Sequence, residues 1–430
     1  MANAPHTVTG IPTQCIGCVA CSKACPVKAL RVRGGVVQCD SDLCIDCGAC
    51  IYVCANGARR ARTTPASDLS KYKHTVAMPS MTLYGQFGKD VTPAQVLHAL
   101  TQVGFDQAFD FSYVCDMVTA ATEAYLSECR GPWPKISITC PAVVRLIQIR
   151  YPDLVPNLVP IEIPRELGAR IMRKKVSVEL GLKPEEIGIF FITPCSAIMR
   201  SINDPVGQEA SYIDGAFSIL ELYGPLLKAL KSTAHDVTYE EGISPSGLAW
   251  AMAGGETRAM RNSNTLVVKG THDVTRVFDR IESGKFQTVD YLEAYICPDG
   301  CVSGQLVAEG RYAAQRNLLH ISKRLRRQPH LNEEKVRSLL RERFFDLEGQ
   351  IKAREVRPLA RDLRQAIALK REKAKILERL PGKNCAACGA PTCDTLAEDV
   401  VRGEAHIEDC VFIKIELLQQ RIEAGKGGTP

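Results

Sequence analysis

The chain lacks several features, and each absence excludes a class of protein. No stretch approaches the roughly 18 uninterrupted apolar residues that a membrane-spanning helix needs. The N-terminus has no basic region followed by an apolar run, so no signal peptide is predicted. There is no Gly-x-Gly-x-x-Gly fingerprint, which argues against bound NAD or flavin, and the eight histidines show no paired metal-ligand spacing. We therefore expect a cytoplasmic protein without membrane insertion.

Length and charge predict several globular domains with an uneven surface. At 430 residues, about one domain per 150 residues suggests roughly three domains. The net charge of +6 is concentrated between residues 311 and 380, where 20 Lys and Arg face 9 Asp and Glu. Such a stretch is either a solvated helical surface or a docking face for an acidic partner such as a ferredoxin. No nucleic-acid-binding motif accompanies the charge, so no nucleic-acid partner is expected.

Nineteen cysteines are the most informative feature that is present. In a reducing compartment, dense cysteines indicate metal or redox chemistry instead of structural disulfides. Sixteen of them fall into groups that suit iron–sulfur clusters. Three are left over, namely Cys39, Cys115 and Cys129. Of these, Cys115 is interpreted as a buried structural thiol, with a position facing a central cluster pocket as the alternative.

The first 60 residues contain two copies of a cysteine run offset by 29 residues. Each copy has the spacing C-x2-C-x2-C-x3-C, which holds two 4Fe–4S cubanes in bacterial ferredoxins, the fourth cysteine of each run reaching across to the other cluster. Structural zinc would instead show two separate CxxC pairs. The predicted ligands of cluster one are Cys15, Cys18, Cys21 and Cys54. Those of cluster two are Cys44, Cys47, Cys50 and Cys25.

A different quartet lies near the C-terminus. Its spacing is a tight triplet with a distant fourth member, formed by Cys385, Cys388, Cys393 and Cys410. The segment from Leu380 to Cys393 resembles the small 4Fe–4S domain of Rnf-type electron-transport subunits. That resemblance implies a third 4Fe–4S cluster, and structural zinc is the alternative.

Three further cysteines each end an apolar, β-branched run. These runs are Ile136–Cys140, Ile187–Cys195 and Tyr291–Cys297, and helix-like segments separate them. Ligands bind beyond the carboxyl ends of parallel strands, so the three thiols are predicted to converge there. Cys301 follows after a Pro-Asp-Gly turn and supplies a fourth thiolate. A lone cysteine after an apolar run is ordinarily a core residue. The prediction of a ligand site therefore rests on three such cysteines occurring at strand ends together.

These segments resemble the three signature segments of the iron-only (FeFe) hydrogenases. The resemblance rests on Thr139-Cys140-Pro141, on Thr193-Pro194-Cys195, and on the segment from Glu293 to Gly304, and it extends from about residue 74 to 327. It implies that Cys140, Cys195, Cys297 and Cys301 hold a central cubane. It also implies that Cys301 bridges to a diiron unit bearing CO and cyanide. With its additional C-terminal cluster domain, the domain architecture of the chain resembles that of the sensory branch of the family.

Several positions depart from the family's catalytic members. Thr139 stands where a cysteine relays protons, and a hydroxyl is far less acidic than a thiol of pKa about 8.5. Ile198 replaces a lysine that hydrogen-bonds a cyanide, and Ser201 replaces the following glutamate. Tyr295 replaces a methionine near the bridging ligand. The central cubane is therefore expected, and the diiron unit is left as an open alternative.

The sequence thus predicts an α/β protein with parallel sheets and cluster domains at both ends. The predicted divisions are a ferredoxin module (1–62), a linker (63–75), a hydrogenase-like domain (76–327), a charged helical segment (328–380), a 4Fe–4S domain (381–415) and a tail (416–430).

Three functions fit these predictions. The favoured one is a regulatory protein that senses hydrogen or redox state with little or no hydrogen turnover. The others are a working, ferredoxin-linked hydrogenase, which leaves enzymatic activity open, and a purely electron-transferring subunit without the diiron unit. Expected partners are an electron-transfer protein, such as a ferredoxin or a flavoprotein redox subunit, and a signalling protein.

Overall fold

The computed structural model describes residues 6–233, 242–261, 264–325, 331–354 and 356–426. The described chain divides into two compact units. The larger unit comprises the described residues within 1–7, 46–48 and 62–353. The smaller unit comprises those within 8–45, 49–61 and 354–430.

The strands are short, and most of them lie in the larger unit. In chain order they are β1 Val8–Gly10, β2 Leu30–Arg33, β3 Val36–Cys39, β4 Arg59–Ala61, β5 His74–Pro79, β6 Gln107–Ala108, β7 Lys135–Ile136, β8 Ile187–Thr193, β9 Gly215–Ser218, β10 Thr265–Lys269 and β11 Tyr291–Tyr295.

Helices make up most of the remaining regular structure. The α-helices are α1 Ala20–Ala24, α2 Ala49–Tyr52, α3 Pro93–Gln102, α4 Ser112–Glu128, α5 Pro141–Arg150, α6 Pro164–Leu180, α7 Ser196–Asn203, α8 Ile219–Ser232, α9 Pro245–Leu248, α10 Gly255–Ala259, α11 Thr271–Glu282, α12 Arg311–Arg324, α13 Glu333–Arg341, α14 Leu363–Arg379, α15 Cys393–Val401 and α16 Val411–Lys426. The 3-10 helices are Pro12–Gln14, Ala66–Lys71, Met81–Gln86, Pro152–Asn157, Pro184–Glu186, Ala249–Ala251, Cys301–Ser303 and Ile407–Asp409.

Two parallel sheets form the centre of the larger unit. One has the order β6-β5-β8-β9, and the other has the order β10-β11-β7. Strands β5 and β8 are buried along nearly their whole length, as expected for parallel strands with helices covering both faces. This arrangement confirms the predicted α/β class with parallel sheets.

Sequence signals explain where the flanking helices begin. Helix α3 starts at Pro93 behind Thr92, whose side chain accepts a hydrogen bond from the Gln95 amide while Gln95 caps in return. This capping box satisfies two backbone donors that the first helical turn would otherwise leave unpaired. Helix α8 begins with the same device at Ser218 and Glu221.

In the smaller unit, two antiparallel pairs surround the N-terminal cysteine runs. Strand β1 pairs with β4, and β2 pairs with β3 as a hairpin. Helices α14, α15 and α16 follow at the C-terminal end, and Leu380, Leu396 and Ala397 form part of their apolar core.

Several predicted boundaries need correction. The segment 328–380 contains the described helices α13 and α14, and the described residues between them, 342–354 and 356–362, form no helix. The predicted linker 63–75 holds a 3-10 helix and the start of β5. Helix α16 runs to Lys426, so only residues 427–430 of the predicted tail remain outside the described part of the chain. Among the described residues, no helix is long and apolar enough to cross a membrane.

Candidate metal centres

The four central cysteines lie at the carboxyl ends of strands or immediately before helices of the larger unit. Cys140 is the residue before α5, and Cys195 occupies the same position before α7. Cys297 follows β11, and Cys301 begins the 3-10 helix Cys301–Ser303. The predicted strands were too long, since β7, β8 and β11 end short of their cysteines. Each thiol therefore lies beyond the carboxyl ends of the strands, which is where parallel sheets bind their ligands.

Two glycines allow the third segment to approach its neighbours closely. Gly300 has φ of +82°, and a Cβ there would lie 2.5 Å from the Ala253 nitrogen. A Cβ on Gly304 would lie 2.4 Å from the Pro194 carbonyl oxygen, next to Cys195. Any side chain at either position would force the backbone apart, so the glycines hold Cys301 near the other ligand loops.

The four thiols are close enough to affect one another electrostatically. Burial, followed by the charges of the neighbouring cysteines, raises the pKa of Cys297 and Cys301 well above the ordinary value. Burial likewise raises the pKa of Cys195 to about 11 and that of Cys140 above its usual range. Four buried thiols are ionised together only when a cation compensates them, as the iron of a bound cluster does. The structure thus brings together all four predicted ligands.

A cavity of about 60 Å³ adjoins this quartet on the side of Cys301. Its lining residues are Ser80, Met81, Phe111, Cys115, Thr139, Pro164, Arg165, Phe191, Ile198, Trp250, Ala251 and Cys301. The volume exceeds the ~10–15 Å³ that one water molecule needs. Two of the four positions that depart from the family pattern, Thr139 and Ile198, therefore line the same space as Cys301, whereas Ser201 and Tyr295 are not among the lining residues.

Two hydrogen-bond donors in this cavity wall have no partner. Arg165 is 6% exposed and Trp250 is 5% exposed. The Nε of Arg165 and the Nε1 of Trp250 form no hydrogen bond. Because buried donors are almost always paired, the space beside them suits a group that accepts hydrogen bonds. These residues, with the thiol of Cys301, fit a diiron group carrying CO and cyanide ligands.

Thr139 belongs to a buried network around the carboxyl group of Glu256. The Thr139 hydroxyl donates to Glu256 Oε2 over 3.5 Å, and the Ser137 hydroxyl donates to the same atom over 2.8 Å. The hydroxyl of Tyr291 donates to Glu256 Oε1. Burial, followed by the nearby charge of Glu293, raises the pKa of Glu256 to about 8. A carboxyl group with a raised pKa thus lies next to Thr139.

Glu293 is held by a different set of donors. The amides of Gly254 and Thr257 donate to its two oxygens over 2.8 and 2.9 Å, and the Thr257 hydroxyl adds a third hydrogen bond of 2.8 Å. Burial raises the pKa of Glu293, and these hydrogen bonds oppose the shift. Of the two neighbouring carboxyl groups, Glu293 has the backbone donors that favour its ionised form, whereas Glu256 accepts hydrogen bonds from side-chain hydroxyls.

Glu256 should make the stability of the folded protein depend on pH. Its folded-state pKa of about 8 lies above the ordinary value of 4.5, so between these values the folded protein keeps a proton that the unfolded chain has lost. The free energy of unfolding therefore falls as pH rises, by up to about 1.4 kcal/mol per pH unit, and levels off above pH 8. Glu256→Gln should flatten this slope, as measured by anaerobic chemical unfolding at several pH values.

The exposed Glu185 provides a matched control for this experiment. Glu185→Gln makes the same chemical change at the surface and should keep the wild-type slope. An unchanged slope in the Glu256→Gln protein would contradict the assignment of the retained proton to Glu256.

The three leftover cysteines lie in different surroundings. Cys115 is buried and lines the cavity beside Cys301, so both interpretations of it from the sequence describe the same position. Cys129 is half-buried, and its thiol donates to the hydroxyl of Tyr125 over 3.5 Å. Cys39 is exposed at the end of β3.

The N-terminal cysteines are brought together mainly in the smaller unit. Burial raises the pKa of Cys25 to about 12, with Cys44 and Cys50 adding to the shift. Burial, and then Cys50, raise the pKa of Cys21. Cys15 precedes α1 and Cys54 follows α2, while Cys18 adds to the raised pKa of Cys21. The segment 46–48, which carries Cys47, belongs to the larger unit.

Within the larger unit, that segment is bonded to the loop that carries Cys195. The Ser196 hydroxyl donates to the Asp46 carbonyl oxygen over 2.7 Å, and Gln305 donates to the Ser196 hydroxyl over 2.7 Å. Cys47 is close enough to Cys297 to contribute to its raised pKa. A predicted ligand of cluster two therefore lies beside the central quartet.

The C-terminal quartet gathers around the start of α15. Burial raises the pKa of Cys388, and Cys410 and Cys385 add to the shift. Cys393 is the first residue of α15, and its amide donates to the side chain of Asn384 over 2.8 Å. Leu396 and Ala397 of the same helix are buried with Cys410. All four predicted ligands thus belong to one small packed region.

This region is anchored to the β2–β3 hairpin of the same unit by a buried carboxylate. Asp399, whose side chain is 4% exposed, accepts a bidentate pair from Arg31 at 2.7 and 2.9 Å and a third hydrogen bond from Arg33 at 2.7 Å. The Val32 amide also donates to the Gly389 carbonyl oxygen over 2.9 Å. The loop between Cys388 and Cys393 therefore packs directly on the ferredoxin-like hairpin.

Asp399→Asn should detach the C-terminal quartet from the hairpin. Losing this buried carboxylate leaves Arg31 without an ion-pair partner and Arg33 with only its 3.8 Å contact to Asp409, which costs about 3–5 kcal/mol. We expect faster cleavage by limited proteolysis between α14 and α16. Asp394→Asn is the control, because Asp394 lies on the same helix but pairs with Lys373 at a half-exposed site, where an ion pair contributes about 1 kcal/mol or less. Equal cleavage rates in the two variants would contradict this role of Asp399.

Family comparisons agree with this arrangement. Residues 73–265 match the family described as iron only hydrogenase large subunit, C-terminal domain. Residues 14–58 match a 4Fe-4S dicluster domain, and residues 380–412 match an Fe-S cluster family. The first match ends before Cys297 and Cys301, so their connection to the quartet rests on the structure.

Individual relatives are distant. The chain is 25% identical to iron hydrogenase 1 of Clostridium pasteurianum over 268 residues, which cover 51% of this chain and 46% of the relative. It is 19% identical to the NADP-reducing hydrogenase subunit HndD of Solidesulfovibrio fructosivorans over 366 residues, which cover 68% of this chain and 63% of the relative. In both cases less than two thirds of the relative is matched.

Structural similarity leads to the same fold. A variant of the [FeFe]-hydrogenase HydA1 from Chlamydomonas reinhardtii superposes with a TM-score of 0.51 at 15% identity. The match covers 68% of this chain and 97% of that chain. Taken with the family matches, the chain contains a region similar to the hydrogenase large subunit and with its fold, preceded by a match to a 4Fe-4S dicluster domain and followed by a match to an Fe-S cluster family.

Sequence reasoning missed Arg165, Trp250 and Glu256. Each is a polar side chain buried in the larger unit. Arg165 follows Pro164 at the start of α6, and Glu256 follows Gly255 at the start of α10. No local sequence signal marks these residues, and only the tertiary structure shows which cavity or network each one joins.

Proposed function

We propose that this protein is a regulatory member of the FeFe-hydrogenase family that responds to hydrogen or redox state. In this function the flanking clusters carry electrons to and from the central site, and hydrogen turnover is low or absent. One observation carries the proposal: the cavity that is lined by Cys301, one of the four central cysteines, is also lined by Thr139 and Ile198, where the resemblance implies a thiol and a lysine in catalytic members. A site that holds the cofactor but supplies protons poorly suits detection better than rapid turnover.

The proposed cofactors are four 4Fe–4S clusters and a diiron group. Cys140, Cys195, Cys297 and Cys301 would hold the central cubane, and Cys301 would also contact the diiron group. That group, when bound, supplies the site at which hydrogen is bound or split. The protein's own residues bury this site, exclude water from it and control which protons reach it.

Glu256 favours a second candidate, a hydrogenase that works at a low rate. Its carboxyl group has a pKa of about 8 and accepts a hydrogen bond from Thr139. Because general acids work best when their pKa lies near the working pH, Glu256 is suited to exchange a proton with the Thr139 hydroxyl. The weak point is Thr139 itself, since its hydroxyl is far less acidic than the thiol it replaces.

The proposed electron partner is a ferredoxin or a flavoprotein subunit with an acidic surface. Helix α14 presents exposed basic residues that have the complementary charge, namely Arg364, Lys370, Arg371, Lys375 and Arg379. Attraction of this kind accelerates association and weakens with salt. A signalling partner is also part of the proposal, since a sensor needs a protein that receives its output.

Infrared spectroscopy combined with iron quantification tests the proposed function. The protein is prepared anaerobically with the family's maturation enzymes, and hydrogen exchange is measured on the same sample. Four cubanes correspond to about 16 iron atoms per chain, and an added diiron group to about 18. The regulatory proposal predicts about 18 iron atoms, infrared bands of CO and cyanide that change under hydrogen, and slow exchange.

Other outcomes separate the alternatives. Rapid hydrogen exchange with the same bands would favour the working hydrogenase. About 16 iron atoms without CO or cyanide bands would overturn both hydrogen-dependent functions and leave a purely electron-transferring protein. A count well below 16 would contradict the assignment of four cubanes.

A further inference from the structure

The lysine missing at position 198 raises the question of what replaces its charge. Ile198 and Ser201 are both buried on α7. Arg165 reaches them from α6, where its Nη2 donates to the Ser201 hydroxyl over 3.1 Å. Its Nη1 lies 3.5 Å from the carbonyl oxygen of Thr139. A buried positive charge is therefore present at this site, but it comes from a different helix.

The protein satisfies the guanidinium of Arg165 only in part. Among the residues that the structure describes, it forms the two hydrogen bonds above and no direct ion pair, and its Nε donor has no hydrogen-bond partner. Burial lowers the pKa of Arg165, and the nearby charges of Glu166, Glu162, Cys195 and Cys301 oppose that shift. Because buried donors are almost always paired, the Nε of Arg165 still requires a hydrogen-bond acceptor.

Trp250 supplies a second, independent donor to the same cavity. It comes from the 3-10 helix Ala249–Ala251, and its indole Nε1 has no hydrogen-bond partner. An indole nitrogen only donates, so it requires an acceptor. Two unpaired donors from separate elements thus line one space that also contains the thiol of Cys301.

We propose that Arg165 and Trp250 are positioning residues that hold the cyanide ligands of a diiron group attached at Cys301. Arg165 provides the positive charge that Ile198 does not, and Trp250 provides a neutral donor. Both act on ligands of the group and leave its iron atoms free for hydrogen. This inference rests on the proposed function, because it requires the diiron group to be present.

The charge and shape of the cavity favour cyanide over carbon monoxide as the ligand near Arg165. Cyanide bound to iron keeps a negative charge and a strong acceptor nitrogen, and a hydrogen bond to a charged group is stronger than one between neutral groups. Losing such a bond in a buried site should weaken retention of the group by at least about tenfold. Removing the Trp250 donor should have a smaller effect.

The test compares infrared spectra of the matured full-length protein with those of Arg165→Met and Trp250→Phe. Both substitutions keep much of the side-chain volume and remove the donor. We expect the cyanide bands to move to lower frequency in each variant, the carbonyl bands to move less, and Arg165→Met to lose the diiron bands at least tenfold faster under mild chelation. Arg170→Met is the control, because Arg170 lies on the same helix but stacks on Phe344 and should leave every band unchanged.

The outcomes distinguish this inference from the proposed function. Cyanide bands that are present and unchanged in both Arg165→Met and Trp250→Phe would overturn the inference and leave the proposed function intact. Absence of the bands from the wild-type protein would overturn both. If Arg165→Met fails to fold or to retain its central cubane, as judged by iron content, Trp250→Phe alone decides through its band positions.

Discussion

Replacing Cys301 by alanine should remove about four iron atoms per chain, or about six if a diiron group is bound. Cys301 is one of four thiols that converge at the sheet edge, and it is the one that also lines the cavity. Three remaining cysteines would leave one iron of the cubane without a protein ligand in a site where burial already opposes ionised thiols. Iron quantification and electron paramagnetic resonance of the reduced protein measure the loss directly.

Cys129→Ala provides the matched control for this prediction. Cys129 is half-buried and interacts with Tyr125, away from the quartets, so its removal should leave the iron content unchanged. A Cys301→Ala protein that retains the wild-type iron content would show that the central cubane is held by other residues or is absent.

Thr139→Cys should raise hydrogen turnover by about 10²- to 10⁴-fold, the contribution that a positioned general acid or base makes. The new thiol would lie in the same cavity as Cys301 and within reach of Glu256. The pKa of a thiol is far closer to neutral pH than that of the threonine hydroxyl. The measurement is hydrogen exchange by the matured protein, with Thr139→Ser as the control because it preserves a hydroxyl.

An unchanged rate in the Thr139→Cys protein with the diiron bands present would show that proton supply at this position does not limit turnover.

The sequence also predicts that Ile198→Lys should increase turnover. The structure changes that expectation. Arg165 of α6 already donates a hydrogen bond to Ser201, which lies on α7 together with Ile198. A lysine there would place a second buried cation near Arg165, so we expect Ile198→Lys to lower stability unless Arg165 is also replaced.

Much of the fold could be predicted from local sequence patterns. The apolar run that forms β8 and the capped start of α3 both depend on neighbouring residues. The predictions failed where no local signal exists. Strands were extended to their cysteines because an apolar run does not indicate where pairing with the next strand stops, and β7 pairs over only two residues. The C-terminal part of helix α16 was predicted as tail. Most of its residues are exposed, so the sequence there gives little indication of a packed helix face.

The candidate sites divide in the same way. The N-terminal and C-terminal quartets follow from spacing, because one short segment must wrap around one cluster. The central quartet was predicted from strand ends and from family resemblance, since its members are far apart in the chain. Arg165, Trp250 and Glu256 were not predicted, because nothing local indicates that a residue on α6, a short 3-10 helix or α10 will face the cavity or network that contains Thr139.

The sequence by itself predicts iron–sulfur clusters and the cysteines of the two terminal groups, since thiolate spacing along a short segment limits the geometry of its ligands. It also shows where the chain departs from the catalytic members of the family that it resembles. Only the tertiary structure decided what lies at those positions: an arginine with an unpaired Nε beside Ile198 and a carboxyl group of raised pKa beside Thr139. The physical reason is that charge and proton affinity at a buried site depend on every element packed around it, and those elements are distant in the chain.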